Sequence, residues 1–371
     1  MELLNYLNQH ENWEKTLRGE PYFFKIEKHD DYVFIAADMT KAPHSSVLAK
    51  QAHGAIFRKE KDQYICVNYP FAHILDFEEN DSLPFEWKSA ETYSHIDGLM
   101  VCVWNDSGKW HFSTDNYFNI KDVVGNNQKT GYDLLLEACE GKTTNLTTNL
   151  APDFCYTFIL TSPNYKLIAD YGDKTKLWYI TKRNISTLTE DNYIPKFDLP
   201  IAMPHHFMML RVPHLLQELR KVVTEDEVGY ICVDKNNNRV KVDGDAFAAK
   251  KAIRGTQALI TPQHIVELWQ KNELDNYAAT FGDDNNIILI KNCLQAIINN
   301  TDPGFDKLIE VSKKDRKTFM RKLPRYLPCT RAYYTERWFG APAGAETYFK
   351  KAPIQDVMSD LQYEIMRRRS T

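Results

Sequence analysis

The chain of 371 residues is long enough for two domains, one large and one small. With 43% hydrophobic and 26% charged residues it has the make-up of an ordinary globular protein, and no apolar run reaches membrane-spanning length. A net charge of -4 excludes a general attraction to nucleic acid or to an anionic bilayer, so any such contact must come from a local patch.

From about Pro21 to Val242 the sequence is dense in short β-branched and aromatic runs separated by turn signals. Tyr32-Val-Phe-Ile-Ala, Gly54-Ala-Ile-Phe, Gln63-Tyr-Ile-Cys-Val, Leu99-Met-Val-Cys-Val-Trp, Lys109-Trp-His-Phe-Ser and Phe154-Cys-Tyr-Thr-Phe-Ile-Leu are the clearest strands. Asn105-Asp-Ser-Gly joins two of them as a hairpin turn. Helical spacing interrupts at Tyr132–Glu140 and at Pro213–Lys221. The expected class is α+β, with mostly antiparallel sheets and a few covering helices. After about Gly255 the texture turns helical. Thr261-Pro opens one helix with a cap and a first-turn proline, and Ile288–Ile298 and Ala352–Leu361 carry helical periodicity. Two domains are therefore expected, residues 1–255 and a small all-α domain over 256–371.

Seven cysteines (Cys66, Cys102, Cys139, Cys155, Cys232, Cys293, Cys329) stand without a C-x-x-C pair. An odd, dispersed set implies reduced, mostly buried thiols, and neither a disulfide frame nor a zinc site. The N-terminal run Met1-Glu-Leu-Leu-Asn-Tyr-Leu is too short and polar for a secretory signal. The expected compartment is the cytoplasm, with the sequon at Asn145 incidental.

Several stretches, taken in order, carry a family resemblance. They are Glu20–Ile26, Gln51-Ala-His-Gly-Ala-Ile-Phe57, Tyr69–Glu79, His95-Ile-Asp-Gly98, Gly108–Thr114, Tyr156–Pro163, Lys182-Arg-Asn184, Val228–Asp234 and Arg239–Phe247. In this order and spacing the chain resembles the phage-type ATP-dependent RNA ligases that repair broken tRNA, members of the covalent nucleotidyltransferase superfamily. The resemblance covers nearly the whole nucleotidyltransferase domain, and it implies ATP and magnesium as cofactors and RNA as partner if ligation is retained.

The same comparison exposes departures. The family's nucleophilic lysine, in Lys-x-Asp-Gly, matches His95, with Asp97 and Gly98 retained. An arginine matches His53, and the lysine of Arg-Pro-Phe-x-Lys matches His73. The Phe-Glu pair matches Phe158-Ile159, the Glu-Gly pair matches Val228-Gly229, and the final Lys-x-Lys matches Lys241-Val242-Asp243. A nucleotide pocket formed by His53, His73, Gly98, Phe158, Ile159, Val228 and Lys241 is implied, with His95, Asp97 and Lys241 as the catalytic set if the chain is active. Aliphatic side chains cannot do the work of carboxylates on a metal or a ribose, and loss of nucleophile and cations together is incompatible with ligation by the usual route.

Three readings follow. The first is a degenerate, pseudoenzyme-like relative that binds RNA, a nucleotide or a protein partner without forming a lysyl-adenylate. The second is altered chemistry: adenylyl transfer through His95, or metal-assisted phosphodiester cleavage by a His53/His73/His95 cluster. The third is an ordinary ligase with its motifs elsewhere, but no lysine fits Lys-x-Asp-Gly nearby. In the helical part, Lys313, Lys314, Lys317, Arg321 and Arg325, with Phe319 and Tyr326 interleaved, form a candidate RNA backbone track beside a second run at Arg367–Arg369.

Overall fold

In this computed structural model the described residues are 1–369 without 80–84, 126–127, 192, 208–214, 216–217, 219, 222, 225–226, 255–259, 283–284 and 341–343. The chain divides into two compact units, Met1–Leu259 and Ile260–Thr371. Unit 1 is α+β and unit 2 is helical.

Unit 1 holds three sheets. β1 (Lys25–His29), β2 (Tyr32–Ala36), β3 (His53–Glu60) and β4 (Gln63–Asn68) pair in chain order as an antiparallel meander. The second sheet has the order β11-β10-β9-β7-β8, built from β7 (Leu99–Asp106), β8 (Lys109–Ser113), β9 (Phe154–Thr161), β10 (Lys176–Asn184) and β11 (Glu190–Asp191). Its β7–β8 hairpin turns at Ser107 and Gly108, both at positive φ (+52° and +81°), the pair of angles a tight two-residue turn needs. The third sheet, β12-β6-β13-β14-β5, contains β5 (Leu75–Asp76), β6 (Glu91–Ser94), β12 (His206–Phe207), β13 (Gly229–Val233) and β14 (Arg239–Asp243). Only β14 and β5 run parallel; the other pairs of this sheet are antiparallel.

Period-two alternation splits the second sheet into two faces. Leu99, Val101, Val103, Tyr156, Phe158, Leu160 and Leu177 pack into one core with Leu134 and Leu135 of α4 (Gly131–Ala138). Thr130 and Asp133 close a reciprocal capping box at that helix's start. The other face carries Met100, Cys102 and Ile159 against Phe71, Ile74 and Ile180. The first sheet is covered on one side by α1 (Glu2–Gln9) and α2 (Trp13–Arg18), which bury Leu3, Leu7, Trp13 and Leu17. All seven cysteines are free and buried.

Unit 2 contains α7 (Pro262–Gln270), α8 (Leu274–Phe281), α9 (Asn285–Val311), α10 (Arg316–Lys322), α11 (Pro328–Trp338), α12 (Ala345–Phe349) and α13 (Ile354–Arg369), after α3 (Val47–Gln51), α5 (Thr144–Thr147) and α6 (Asp245–Arg254) of unit 1. Thr261 caps α7 by accepting the His264 N–H, with Pro262 in the first turn. Its core is Phe305, Leu308, Phe319, Leu323, Tyr333 and Tyr334. The buried Asp360 accepts the Cys329 and Thr330 N–H groups at 3.1 and 2.9 Å, satisfying the exposed donors at the start of α11 from a different helix. Most of the expected helix at 213–221 lies outside the described residues. Among those described, no helix is long and apolar enough to cross a membrane.

Candidate functional site

The third sheet turns Glu91, Tyr93, Ile231, Val233 and Arg239 toward a cavity of about 670 Å³, closed on its other side by Phe71, Ile74, Ile159 and Ile180. The alternation of β14 accounts for half of this arrangement. Val240 and Val242 face a small core with Cys232, which leaves Arg239, Lys241 and Asp243 on the opposite face. A second cavity, about 250 Å³, lies beside Tyr171, Trp178, His205, Phe207, Val228 and Tyr230. Ser94, His95, Ile96 and Met203 line both. His95 therefore stands at the junction of the two spaces.

His95 follows β6, and its N–H donates to the Gly229 carbonyl at 2.9 Å. Its Nδ1 is 2.8 Å from Asp243 Oδ1. Burial alone raises a carboxyl pKa, but the hydrogen bond and charge of His95, with Lys241 and Lys251, outweigh it and bring Asp243 down to about 2. Asp243 is thus an ionised carboxylate bonded to the imidazole, with Lys251 Nζ 3.7 Å from its other oxygen. The Nε2 of His95 makes no hydrogen bond among the described residues, and the side chain is 22% exposed. Gly229 holds the opposite wall: its φ of +140° suits glycine, and a Cβ there collides with the Val242 carbonyl.

The other residues singled out from sequence fall in several places. Asp97 is a loop anchor and lines neither cavity: Oδ2 accepts the Ile168 and Ala169 N–H groups at 2.9 and 3.1 Å, and its own N–H donates to Tyr171 Oη at 2.7 Å. Gly98 permits close packing, since a Cβ there lies 2.5 Å from the Leu160 carbonyl oxygen. Phe158 leaves the expected pocket altogether. It is fully buried in the α4-covered core against Tyr179 and Phe197, because the pleat sends it away from the face that carries Ile159. Ile159 lines the larger cavity and Val228 the smaller one. Lys241 lies in register between Ile231 and Asp76 on the face it shares with Arg239 and Asp243.

The three histidines do not form one cluster. His53 and His73 meet at 4.0 Å between ring centroids, bonded to the carbonyls of Phe71 (3.1 Å) and Ala52 (3.2 Å). Burial pushes both below the ordinary histidine range, further for His73, where the charges of His53 and Lys241 add to it. His95 is engaged by Asp243 instead. Among the described residues no group of three or more His, Cys, Asp or Glu side chains can hold a metal ion, so the three-histidine metal site is not formed.

The donor set also fails to fit magnesium. Aliphatic Ile159 and Val228 occupy the positions of the implied glutamates. The carboxylates near the larger cavity are already engaged: Asp234 accepts N–H groups of Glu86, Asn236 and Asn238, Asp191 pairs with Lys182, and Glu91 accepts the Tyr93 hydroxyl.

A buried ion trio was not singled out from sequence. Glu190 accepts from Arg239 at 2.9 and 2.6 Å and from Arg183 at 2.5 Å, and Thr181 donates to it at 2.8 Å. The Glu190 side chain is 1% exposed. Burial opposes its ionisation, but the two guanidinium groups prevail and its pKa is lowered. The guanidinium of Arg239 lies 4.9 Å from the Phe71 ring centroid, and that of Arg183 4.6 Å from Tyr69. The only sequence sign was the polar face of Arg239-Val-Lys-Val-Asp243.

In unit 2, Lys313, Lys314, Lys317, Arg321 and Arg325 are all exposed. Phe319 is not interleaved among them: it is fully buried and stacks on Trp338 at 4.2 Å. Arg367 and Arg368 of the second basic run pair with Glu364.

No family model matches the chain. A bifunctional polynucleotide kinase/RNA ligase of Autographa californica nuclear polyhedrosis virus is 22% identical over 218 residues, 57% of this chain. The chain spans 29% of that viral protein's length. Among solved structures, two forms of an archaeal ATP-dependent RNA ligase align over 96% and 89% of this chain and 77% and 95% of theirs, with TM-scores of 0.37 and 0.39 and identities of 11% and 10%. A Naegleria gruberi RNA ligase, solved with pyrophosphate, aligns over 44% of this chain and 52% of its own at 9% identity and a TM-score of 0.33. Each of these proteins carries RNA ligase in its name.

Proposed function

We propose that this chain is an RNA-ligase-like protein whose cleft takes a nucleotide or an RNA end without forming a lysyl-adenylate. One observation carries the reading: the residue at the nucleophile position, His95, is bonded at 2.8 Å to the ionised Asp243. A lysine nucleophile works as a neutral amine flanked by cations that offset charge growing on the α-phosphate. Here a carboxylate stands in that place, and the implied metal carboxylates are aliphatic. Lys241 and Lys251 both act on the single carboxylate of Asp243, and that excess of one cation supports binding of an anion. The finer resemblance makes a broken tRNA in the cytoplasm the first RNA to offer.

A second reading rests on the same pair. With Nδ1 held by Asp243, Nε2 is the edge left to attack. It would bond to the α-phosphorus of ATP as the bond to pyrophosphate breaks, giving an adenylyl-imidazole whose positive charge faces Asp243.

Mass spectrometry of the intact chain with ATP and magnesium, native and then denatured, tests both. A native-only adduct supports binding without covalent transfer. A denaturation-resistant AMP adduct lost in His95→Ala supports the second reading. No adduct with ATP or with a short tRNA fragment overturns both and leaves a protein partner.

A further inference from the structure

Over residues 310–325 the chain carries seven cations (Lys313, Lys314, Arg316, Lys317, Arg321, Lys322, Arg325) and two carboxylates (Glu310, Asp315), in a protein whose net charge is -4. Among the described residues none of the seven is in a salt bridge. Asp315 is the N-cap of α10, accepting the Thr318 N–H at 2.7 Å. Lys313 and Lys314 occupy the turn before that helix at φ of +53° and +57°, a conformation that lysine rarely adopts, so the turn presents two cations together.

A ring stands beside this field. Phe339, directly after α11, is 62% exposed, and the Arg316 guanidinium lies 5.4 Å from its centroid. The stacked pair Phe319–Trp338 fastens α10 to α11 directly beneath, so ring and cations are held on one scaffold. An unneutralised basic field alone fits any polyanion. A large exposed ring flanked by a guanidinium adds a stacking surface, and unpaired bases are the polyanion component that uses one.

We propose that this face of the helical unit binds single-stranded nucleic acid, with Lys313, Lys314, Lys317 and Arg321 on the phosphates and a base stacked on Phe339 beside Arg316. The site is independent of the cleft, and its success or failure leaves the cleft reading untouched.

The test is fluorescence anisotropy of the full chain with labelled single-stranded RNA, the same sequence as DNA, duplex RNA, and heparin as competitor, over a salt series. Single-stranded RNA is expected to bind with a steep salt dependence. Lys313→Glu/Lys317→Glu should weaken it at least tenfold and lower the salt slope by about 2, near one unit for each phosphate no longer neutralised. Phe339→Ala should weaken single strands about tenfold, the effect of unstacking one base, and leave duplex unchanged. Equal binding of single-stranded DNA keeps the proposal and widens its ligand. Equal losses for duplex and single strand in Phe339→Ala, or none for either, overturn base stacking. No binding by the wild type, or no change in the lysine variant, overturns the site. Both variants alter exposed side chains, and an unchanged melting temperature confirms that they fold.

Discussion

His95 and Asp243 are 148 positions apart in sequence and 2.8 Å apart in the fold, and each matches a position at which the resemblance implies a lysine. Two departures that look independent in sequence meet as one hydrogen-bonded pair in space. A lysine at both positions would give a cationic site, whereas the ionised carboxylate of Asp243 beside the His95 imidazole does not. The hydrogen bond couples the two side chains.

The coupling is measurable. His95→Ala leaves the nearly buried Asp243 without its hydrogen-bonded imidazole, with Lys251 at 3.7 Å and the charge of Lys241 to offset it. Removing the hydrogen-bonded imidazole is expected to cost about 2–3 kcal/mol in urea unfolding. Asp243→Asn and the double variant complete the cycle, with an expected interaction of about 1–3 kcal/mol. A cycle that sums to zero would show that the two side chains do not act together.

Acid stability should fall in two stages. His53 and His73 are held below 6.5 by burial, so the folded chain keeps them neutral while the unfolded chain takes up protons. Stability is therefore lost as pH drops below about 6.5 toward the folded values. Asp243 has the opposite ionisation and the same direction. Its contribution of about 2 kcal/mol is present above its ordinary value of 3.8 and is lost as pH falls toward about 2. Asp115, raised by burial, acts in the opposite sense, since its carboxyl takes up a proton more readily in the folded chain than in the unfolded one. Melting temperatures across this range check the order. His73→Gln, which keeps a donor without a titrating ring, should flatten the first stage and leave the second.

How much of this was legible in the sequence depended on the range of the interaction. The hairpin at Ser107-Gly108, the Thr261-Pro262 helix start and the α+β class rest on local signals, a few residues of turn or cap chemistry, and all are present. The ordered motifs drew attention to His95, which lines both cavities. They did not disclose its partner, because an interaction across 148 positions leaves no local trace. Phe158 shows the same limit from the other side. Adjacent positions in a strand face opposite ways, and a motif read as a string does not say which of Phe158 and Ile159 enters the cavity. Asp97 has the side chain of a catalytic acid, but two backbone N–H groups claim its carboxylate, a tertiary fact.

The ion trio around Glu190 should matter more for folding than for ligand binding. Its carboxylate accepts from two guanidinium groups and one hydroxyl, and all the partners are buried or nearly so. Glu190→Gln keeps the shape and removes the charge, leaving two buried cations uncompensated. The expected loss is about 3–5 kcal/mol, read from urea midpoints at unchanged slope. A loss below about 1 kcal/mol is the size of an exposed pair and would mean that water already reaches Arg183 and Arg239.

Phe158 and Ile159 make the sharpest separation of scaffold from site, being neighbours with opposite environments. Phe158 is enclosed by Tyr179 and Phe197 beneath α4, so Phe158→Leu opens space in a closed core and should cost about 1–3 kcal/mol. Its effect on AMP affinity, measured by native mass spectrometry on the folded fraction, should be less than twofold. Ile159 is only partly buried and borders the 670 Å³ cavity, so Ile159→Ala disturbs the core less and should cost about 1 kcal/mol. It enlarges the cavity wall at the position of an implied ribose contact, and AMP affinity should shift severalfold. The opposite pattern, with affinity sensitive to Phe158 and indifferent to Ile159, would place the ligand on the far face of the second sheet and rule out the cavity beside His95 as its site.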